Sequence, residues 1–371
     1  MVLKYVLILV WIGFMAIVAK GQYRQEYDEL TGEYVWRVTP VFAIIVMIPV
    51  IWMAATREYI ADTFLYLANY YAMPTSFFDL PLFFRSIQKD HAFYILSCII
   101  HIIFNNKDVI YLGIIATIQA IGVVFLFRKY SSDYVFSTFL FIVSSDYISW
   151  MFNGIRQFLA VAIIILGTPW MLKEKKGSWV QSNIKWIVLV LIASTFHKSS
   201  LLMIPLVLIA KGEPWNKKTI LFMGLVVLAV AFVGRFTGLL DDALQGTQYS
   251  NVVTDYTTWN DDGTNPIRVA VYSVPALISF LYRNKLRVSQ DKLIFFCTNM
   301  SIISMGLYLL SMVTSGIFIG RIPIFVSLYS YILLPWELDN LFQNRGMMRL
   351  LTISAYLLFY YVQMHLTFGL L

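Results

Sequence analysis

Asn153-Gly154-Ile155-Arg156-Gln157 separates two apolar runs, Tyr134 to Trp150 and Phe158 to Trp170. Runs of this kind recur along the chain. They do not alternate polar with apolar, and most are roughly 17–21 residues long, so they read as membrane helices rather than barrel strands. Arg156 then stands at the head of a membrane helix. A cation at the bilayer centre costs about 2.5–3.5 kcal/mol on insertion scales, which makes such a position a site hypothesis by default. The ligand it suits is an anion, and the adjoining helix N-terminus favours anions as well.

The composition agrees with this reading. Of 371 residues, 59% are hydrophobic and 13% charged, and the mean hydropathy is +0.71. Soluble domains carry about 25% charged residues. In lipid every backbone polar group must be paired internally, which demands helices or a closed barrel. We therefore expect an all-α polytopic membrane protein with about 12–13 transmembrane helices in one membrane domain spanning 1–371. The segment Leu3 to Ala19 reads as a first membrane helix rather than a removable signal peptide. Cys98 and Cys297 lie inside apolar segments and are expected as buried small residues. No Cys or His spacing fits a metal site, and neither a metal nor another cofactor is expected. The net charge of +7 falls mostly in short loops, so a nucleic-acid partner is not expected.

Lysine and arginine in those loops set the orientation. Arg128-Lys129, Lys173 with Lys175 and Lys176, Lys211 with Lys217 and Lys218, Arg283 to Lys292, and Arg345 with Arg349 all fall on one side if the runs alternate. That side is cytoplasmic. The turn 145–156, the turn at His197, the loop 235–265 of about 30 residues and the turn 314–321 then face outward. The run 92–104 is too short to cross an apolar layer about 30 Å thick. Read as re-entrant, it leaves 57–91 as an external interfacial segment; read as crossing, it turns 57–91 inward. The first version puts Arg57 and Asp62 on the same face as Arg156. The loop 20–39 carries charges of both signs and does not decide.

Cations gather at the outward helix ends against the usual charge bias: Arg156, Lys198 beside His197, Arg321 after Gly320, Arg268, and Arg57 before Asp62. Each has a bland alternative. Arg268 and Lys198 can reach headgroup phosphates. His197 can be an interhelical hydrogen-bonder, and Asp62 can cap a helix opening at Thr63. Several arginines with one histidine and no metal cluster suit a phosphate or pyrophosphate ligand, because arginine offers permanent bidentate donors. A histidine can accept the proton of an attacking hydroxyl. Tyr256 and Trp259 in the 235–265 loop suit sugar rings. Together these features fit glycosyl transfer from a lipid-linked pyrophosphate.

Asn-Gly-Ile-Arg-Gln-Phe-Leu-Ala at 153–160, Ser-Thr-Phe-His-Lys-Ser at 194–199 with Ile204-Pro205, Asp62-Thr63 with Tyr66, and Gly320-Arg321 before Leu334-Pro335 resemble the EpsG family of Wzy-like exopolysaccharide polymerases. The resemblance covers roughly 40–340. It implies a GT-C-like glycosyltransferase that polymerises oligosaccharide repeat units carried on undecaprenyl pyrophosphate, without metal and with inversion, at the outer face of the bacterial cytoplasmic membrane. In that frame Arg156, Arg321 and Arg57 bind pyrophosphate. His197 is the general base, with Asp62 as the alternative base or an orienting partner. Asn153, Gln157, Lys198, Arg268, Trp259 and Tyr256 contact substrate. A flippase and a chain-length regulator of the same pathway are the partners it implies. The competing readings are a transporter or flippase for an anionic saccharide, a non-catalytic scaffold of an export complex, and an O-acyltransferase.

Overall fold

The computed structural model describes residues 2–28, 30–58, 60, 62–173, 178–245, 263–316 and 318–370. Tyr256 and Trp259 lie outside the described residues. The chain is a predominantly helical polytopic membrane protein. Among the described residues, three helices are individually long and apolar enough to cross a membrane: Leu3–Gly21, Asp108–Tyr130 and Lys292–Met312. Three further pairs qualify only when joined across a bend, of 76°, 106° and 51°. Shorter apolar helices make up most of the remainder. The chain forms two compact units, one of Met1–Met203 with Arg349–Leu371, the other of Ile204–Met348.

In the first unit, α1 (Val2–Val18) leads into a hairpin of β1 (Tyr23–Asp28) and β2 (Glu33–Val38). The stretch 20–39, expected as a loop, thus contains a paired hairpin. The cause is a period of two, with aromatic residues at Tyr23, Tyr27, Tyr34 and Trp36, closed by Gly32 at φ 76°, a conformation glycine adopts without strain. Thr39 then caps α2 (Pro40–Ala55), its side chain accepting from Phe42 N–H, with Pro40 in the first turn where its missing N–H costs nothing. After α3 (Thr63–Tyr71), α4 (Leu80–Ser86) and α5 (His91–Phe104) comes α6 (Asp108–Tyr130).

α2 and α6 run antiparallel. Ala55 lies against Gly113 at one end, and Arg128 Nε donates to Val38 O at 2.7 Å at the other. Arg128 also pairs with Glu26, and Arg37 pairs with Asp28 while donating to Lys129 O at 3.1 Å. The hairpin is thus tied to the Arg128-Lys129 end of α6. Arg57, which follows α2, lies toward the opposite end.

The run Tyr134 to Trp150 is expected to be one helix, but it breaks. α7 (Tyr134–Val143) ends at Ser144, Ser145 takes φ 62°, and Tyr147–Asn153 continues as widened helical turns bent by 76°. Ten residues of α7 rise only about 15 Å, half an apolar layer. α8 (Ile155–Ile165) therefore does not start at the end of a spanning helix. Gln119 Nε2 donates to Ile155 O at 3.0 Å, and Gln119 is about 16 Å along α6 from Asp108 at 1.5 Å per residue. α8 opens beside the middle of α6. The two helices pack backbone to backbone: a Cβ on Gly122 would stand 2.9 Å from Ala162 Cα and Cβ. Small residues permit this approach where lipid supplies no hydrophobic drive. α9 (Thr168–Leu172) and α10 (Trp179–Ser194) follow, then a 3-10 turn at Lys198–Leu202.

α11 (Met203–Ala210) leads into the second unit. There α12 (Lys217–Ala231), α14 (Pro266–Leu281) and α17 (Ser330–Asn340) pack on α16 (Lys292–Met312), which is buried along most of its length. A helix that is apolar all round belongs at such a centre. Gly306 of α16 receives Phe222 and Val226 of α12, and Asn299 Nδ2 donates to the carbonyls of Ala210, Gly212 and Glu213. α13 (Val233–Leu244) occupies the start of the expected 235–265 loop, and α15 (Arg283–Val288) carries part of the basic loop before α16. The final helix, α18 (Arg345–Val362), returns the chain to the first unit. Cys98 and Cys297 are buried free thiols.

Candidate active site

A residue not singled out from sequence, Asp90, sits at the centre of the polar cluster in the first unit. It precedes α5 in the left-handed conformation, φ 56° and ψ 39°. For a residue with a Cβ that conformation costs roughly 1–3 kcal/mol unless the surroundings over-determine it. Here they do. Ala92 N–H donates to Thr195 O at 3.0 Å, tying the α5 entrance to the turn after α10. Arg156 Nη1 donates to Asp90 Oδ2 at 2.8 Å. Asp90 is 3% exposed, and a carboxylate so enclosed persists only when paired.

His197 stands on the other side of the same carboxylate, with Nδ1 at 3.6 Å from Asp90 Oδ1. That is a near contact, longer than a hydrogen bond. Neither Asp90 Oδ1 nor His197 Nδ1 has a hydrogen-bond partner. The two motifs that carry Arg156 and His197 also meet directly, since Gln157 Nε2 donates to Ser199 Oγ at 3.3 Å.

Tyr66 of α3 joins the cluster. Arg156 hydrogen-bonds its side chain, and the Arg156 Cζ lies 5.9 Å from the Tyr66 ring centroid. Arg57 donates from Nε to Thr63 Oγ1 and from Nη1 to Ala54 O, each at 2.9 Å, and stacks over Phe152 with Cζ 5.3 Å from the ring centroid. Its Nη2 has no hydrogen-bond partner, although the residue is only 7% exposed. Asp90 pairs with Arg156, and Arg57 brings a second guanidinium to this unit with one nitrogen unpartnered.

The remaining predicted residues fall as follows. Asp62 occupies the cap position of α3, but its side chain makes no capping bond, so its local role is not that of an N-cap. Asn153 is half-buried, and its Oδ1 has no hydrogen-bond partner. Lys198 is exposed. His101 is a structural histidine, its Nδ1 3.0 Å from Pro74 O and its Nε2 2.8 Å from Asn106 Oδ1.

Arg268 and Arg321 belong to the second unit. Arg268 Nε donates to Tyr272 OH at 3.2 Å and stacks on that ring. Gly320, beside Arg321, packs so closely on the entrance of α14 that a Cβ would stand 2.8 Å from Thr264 Oγ1. Thr264 is fixed in turn by its N–H to Ser311 O at 3.0 Å. Glycine is required there by space. Among the described residues, no group of three or more His, Cys, Asp or Glu side chains is placed to hold a metal ion.

Asp90 escaped the sequence reading because it sits in a polar stretch, Gln88-Lys89-Asp90-His91, where an acidic residue before an apolar run looks like an ordinary cap. The available signal was that the run it opens is too short to span. An acid at the buried head of a half-length helix is costly without a partner.

The model of the EpsG family matches residues 41–369. No curated protein and no solved structure matches the chain.

Proposed function

Since this chain belongs to the EpsG family, we propose that it is a metal-independent glycosyltransferase of the inner membrane that polymerises lipid-linked oligosaccharide repeat units. The growing glycan leaves undecaprenyl pyrophosphate and joins a hydroxyl of the next lipid-linked unit on the outward side. The observation that carries this reading is that Arg156 of α8 and His197 of the turn after α10 stand on either side of one buried carboxylate, Asp90. An anion-binding group and a proton acceptor thus stand together, which is what transfer from a diphosphate requires.

The chemistry follows from the residues. The acceptor hydroxyl gives its proton to His197 through Nε2, the ring nitrogen turned away from Asp90. Its oxygen forms the new bond to the anomeric carbon from the face opposite the leaving group, inverting that centre. The bond from the anomeric carbon to the diphosphate oxygen breaks, and the electron pair departs on the diphosphate. Negative charge grows there, and fixed guanidinium groups stabilise it without reorganisation. Arg156 and the free Nη2 of Arg57 supply that charge, with Tyr66 placed to donate beside them. Asp62 is the alternative proton acceptor. Asn153, Gln157 and Lys198 are the proposed substrate contacts, and Arg321 and Arg268 are further candidate anion contacts.

Elongation of lipid-linked repeat units by the purified full-length chain is the test. His197→Ala and Arg156→Lys should each lower the rate about 10²–10³-fold, the loss expected on removing one preorganised group. The lysine variant keeps the charge but not the forked geometry. Near-normal elongation by both variants would refute the assignment.

A further inference from the structure

We propose that Asp90 is a positioning residue for His197, and that it holds Arg156 and His197 in one arrangement by giving each a separate carboxylate oxygen. This rests on the function proposed above and adds a residue to it. Asp90 Oδ2 accepts from Arg156 Nη1 at 2.8 Å. Asp90 Oδ1 points toward His197 Nδ1 at 3.6 Å. Each of that second pair of atoms is buried and lacks a hydrogen-bond partner. Leaving both unpaired is unfavourable, and each is the other's nearest remedy. A shift of about 0.7 Å brings them to an ordinary N–H to oxygen distance. Hydrogen bonds of catalytic groups commonly tighten only when substrate is bound.

The consequence is a defined tautomer. With its Nδ1–H donating to the carboxylate, His197 presents the Nε2 lone pair to an incoming hydroxyl. The carboxylate also stabilises the imidazolium formed when that proton is taken up, the part an aspartate plays behind a histidine base elsewhere. Arg156 anchors the other oxygen of the same carboxylate. The left-handed backbone at Asp90 and the Ala92 N–H to Thr195 O bond hold the carboxylate against the turn that carries His197.

An ordinary counter-ion for Arg156 would behave differently. Its loss would weaken donor binding, raise KM and act independently of His197. The experiment is single-turnover and steady-state elongation by the full-length chain in nanodiscs, using repeat units extracted from a strain that lacks the protein. Asp90→Asn should lower kcat at least about 30-fold with KM changed less than about threefold. In a His197→Ala background it should cause no further loss, since groups that act as one do not add. If Asp90→Asn does not stay monodisperse, Asp90→Glu keeps the charge beside Arg156 and gives the same reading, with kcat lowered at least about tenfold in the parent and unchanged in the His197→Ala background. Elongation within threefold of the parent by the Asp90 variant, or losses at Asp90 and His197 that multiply, overturns the positioning role. If His197→Ala and Arg156→Lys abolish elongation while the Asp90 variant does not, only that role falls. If all three variants elongate normally, the proposed function falls with it.

Discussion

Replacing Arg156 by alanine removes more than a contact to substrate. The Asp90 residue is 3% exposed and accepts a hydrogen bond from Arg156. With the guanidinium gone, an ionised group is left enclosed with its other oxygen already unpaired. Breaking a buried ion pair by removing one partner costs about 3–5 kcal/mol. The Arg156 side chain keeps 27% of its surface exposed, so the lower part of that range is expected, about 3 kcal/mol, with the Tyr66 hydrogen bond contributing within it. The charge left behind is the main penalty, so neutralising it should recover stability. In the Arg156→Ala, Asp90→Asn double variant at least half of the loss should return. The assay is denaturant unfolding of the four proteins of this cycle in one detergent, followed by tryptophan fluorescence and by retention as a monodisperse species. Parent-like stability of Arg156→Ala would refute the reasoning, as would a double variant less stable than either single one. Either result would mean that water reaches Asp90 freely or that the pair is not formed.

Gly122→Ala should destabilise the first unit by about 1–3 kcal/mol, because its Cβ would stand 2.9 Å from the Ala162 backbone and overpacking of this kind costs that much; unchanged unfolding would show that α8 can withdraw without penalty. Gln119→Leu should cost about 1 kcal/mol by removing the donor to Ile155 O, and should slow elongation more than it lowers stability, measured on the same preparation. Inorganic pyrophosphate should raise the unfolding temperature of the parent, and Arg57→Met should reduce that rise, since the free Nη2 is lost; an undiminished rise in the variant would exclude Arg57 from the anion site. A strain lacking the chain should accumulate lipid-linked repeat units on the outer membrane face, measured by their access to an added glycosidase, whereas accumulation on the inner face would indicate a flippase.

Two of the side chains that meet at Asp90, Arg156 and His197, are legible as candidates in the residues themselves. Arg156, His197 and Arg57 drew notice because a charge beside an apolar run is expensive wherever the run goes, and that expense does not depend on the partner. The partner was not visible. Asp90 lies 66 residues before Arg156, and its importance comes from burial and from a left-handed backbone, neither of which its neighbours announce. The opening of α8 beside the middle of α6 was hidden for a related reason. Tyr134 to Trp150 has the length and apolarity of a spanning helix, and hydropathy does not register a 76° bend at Ser144 to Asp146. The hairpin at 20–39 was overlooked because its alternating aromatics are sparse beside so many helical runs. Its position settles which end of α6 those residues join.

The amino-acid sequence by itself determined the helical membrane class and the candidate cations. Both follow from short-range physics: a peptide group in lipid must bond within its own segment, and a guanidinium there must find something polar. Only the tertiary structure decided that α8 starts beside the middle of α6, that Arg156 stacks on Tyr66, and that one carboxylate stands between Arg156 and His197. Those outcomes depend on close packing at Gly122 and on chain bends whose cost is spread over many contacts, so no local stretch of residues encodes them.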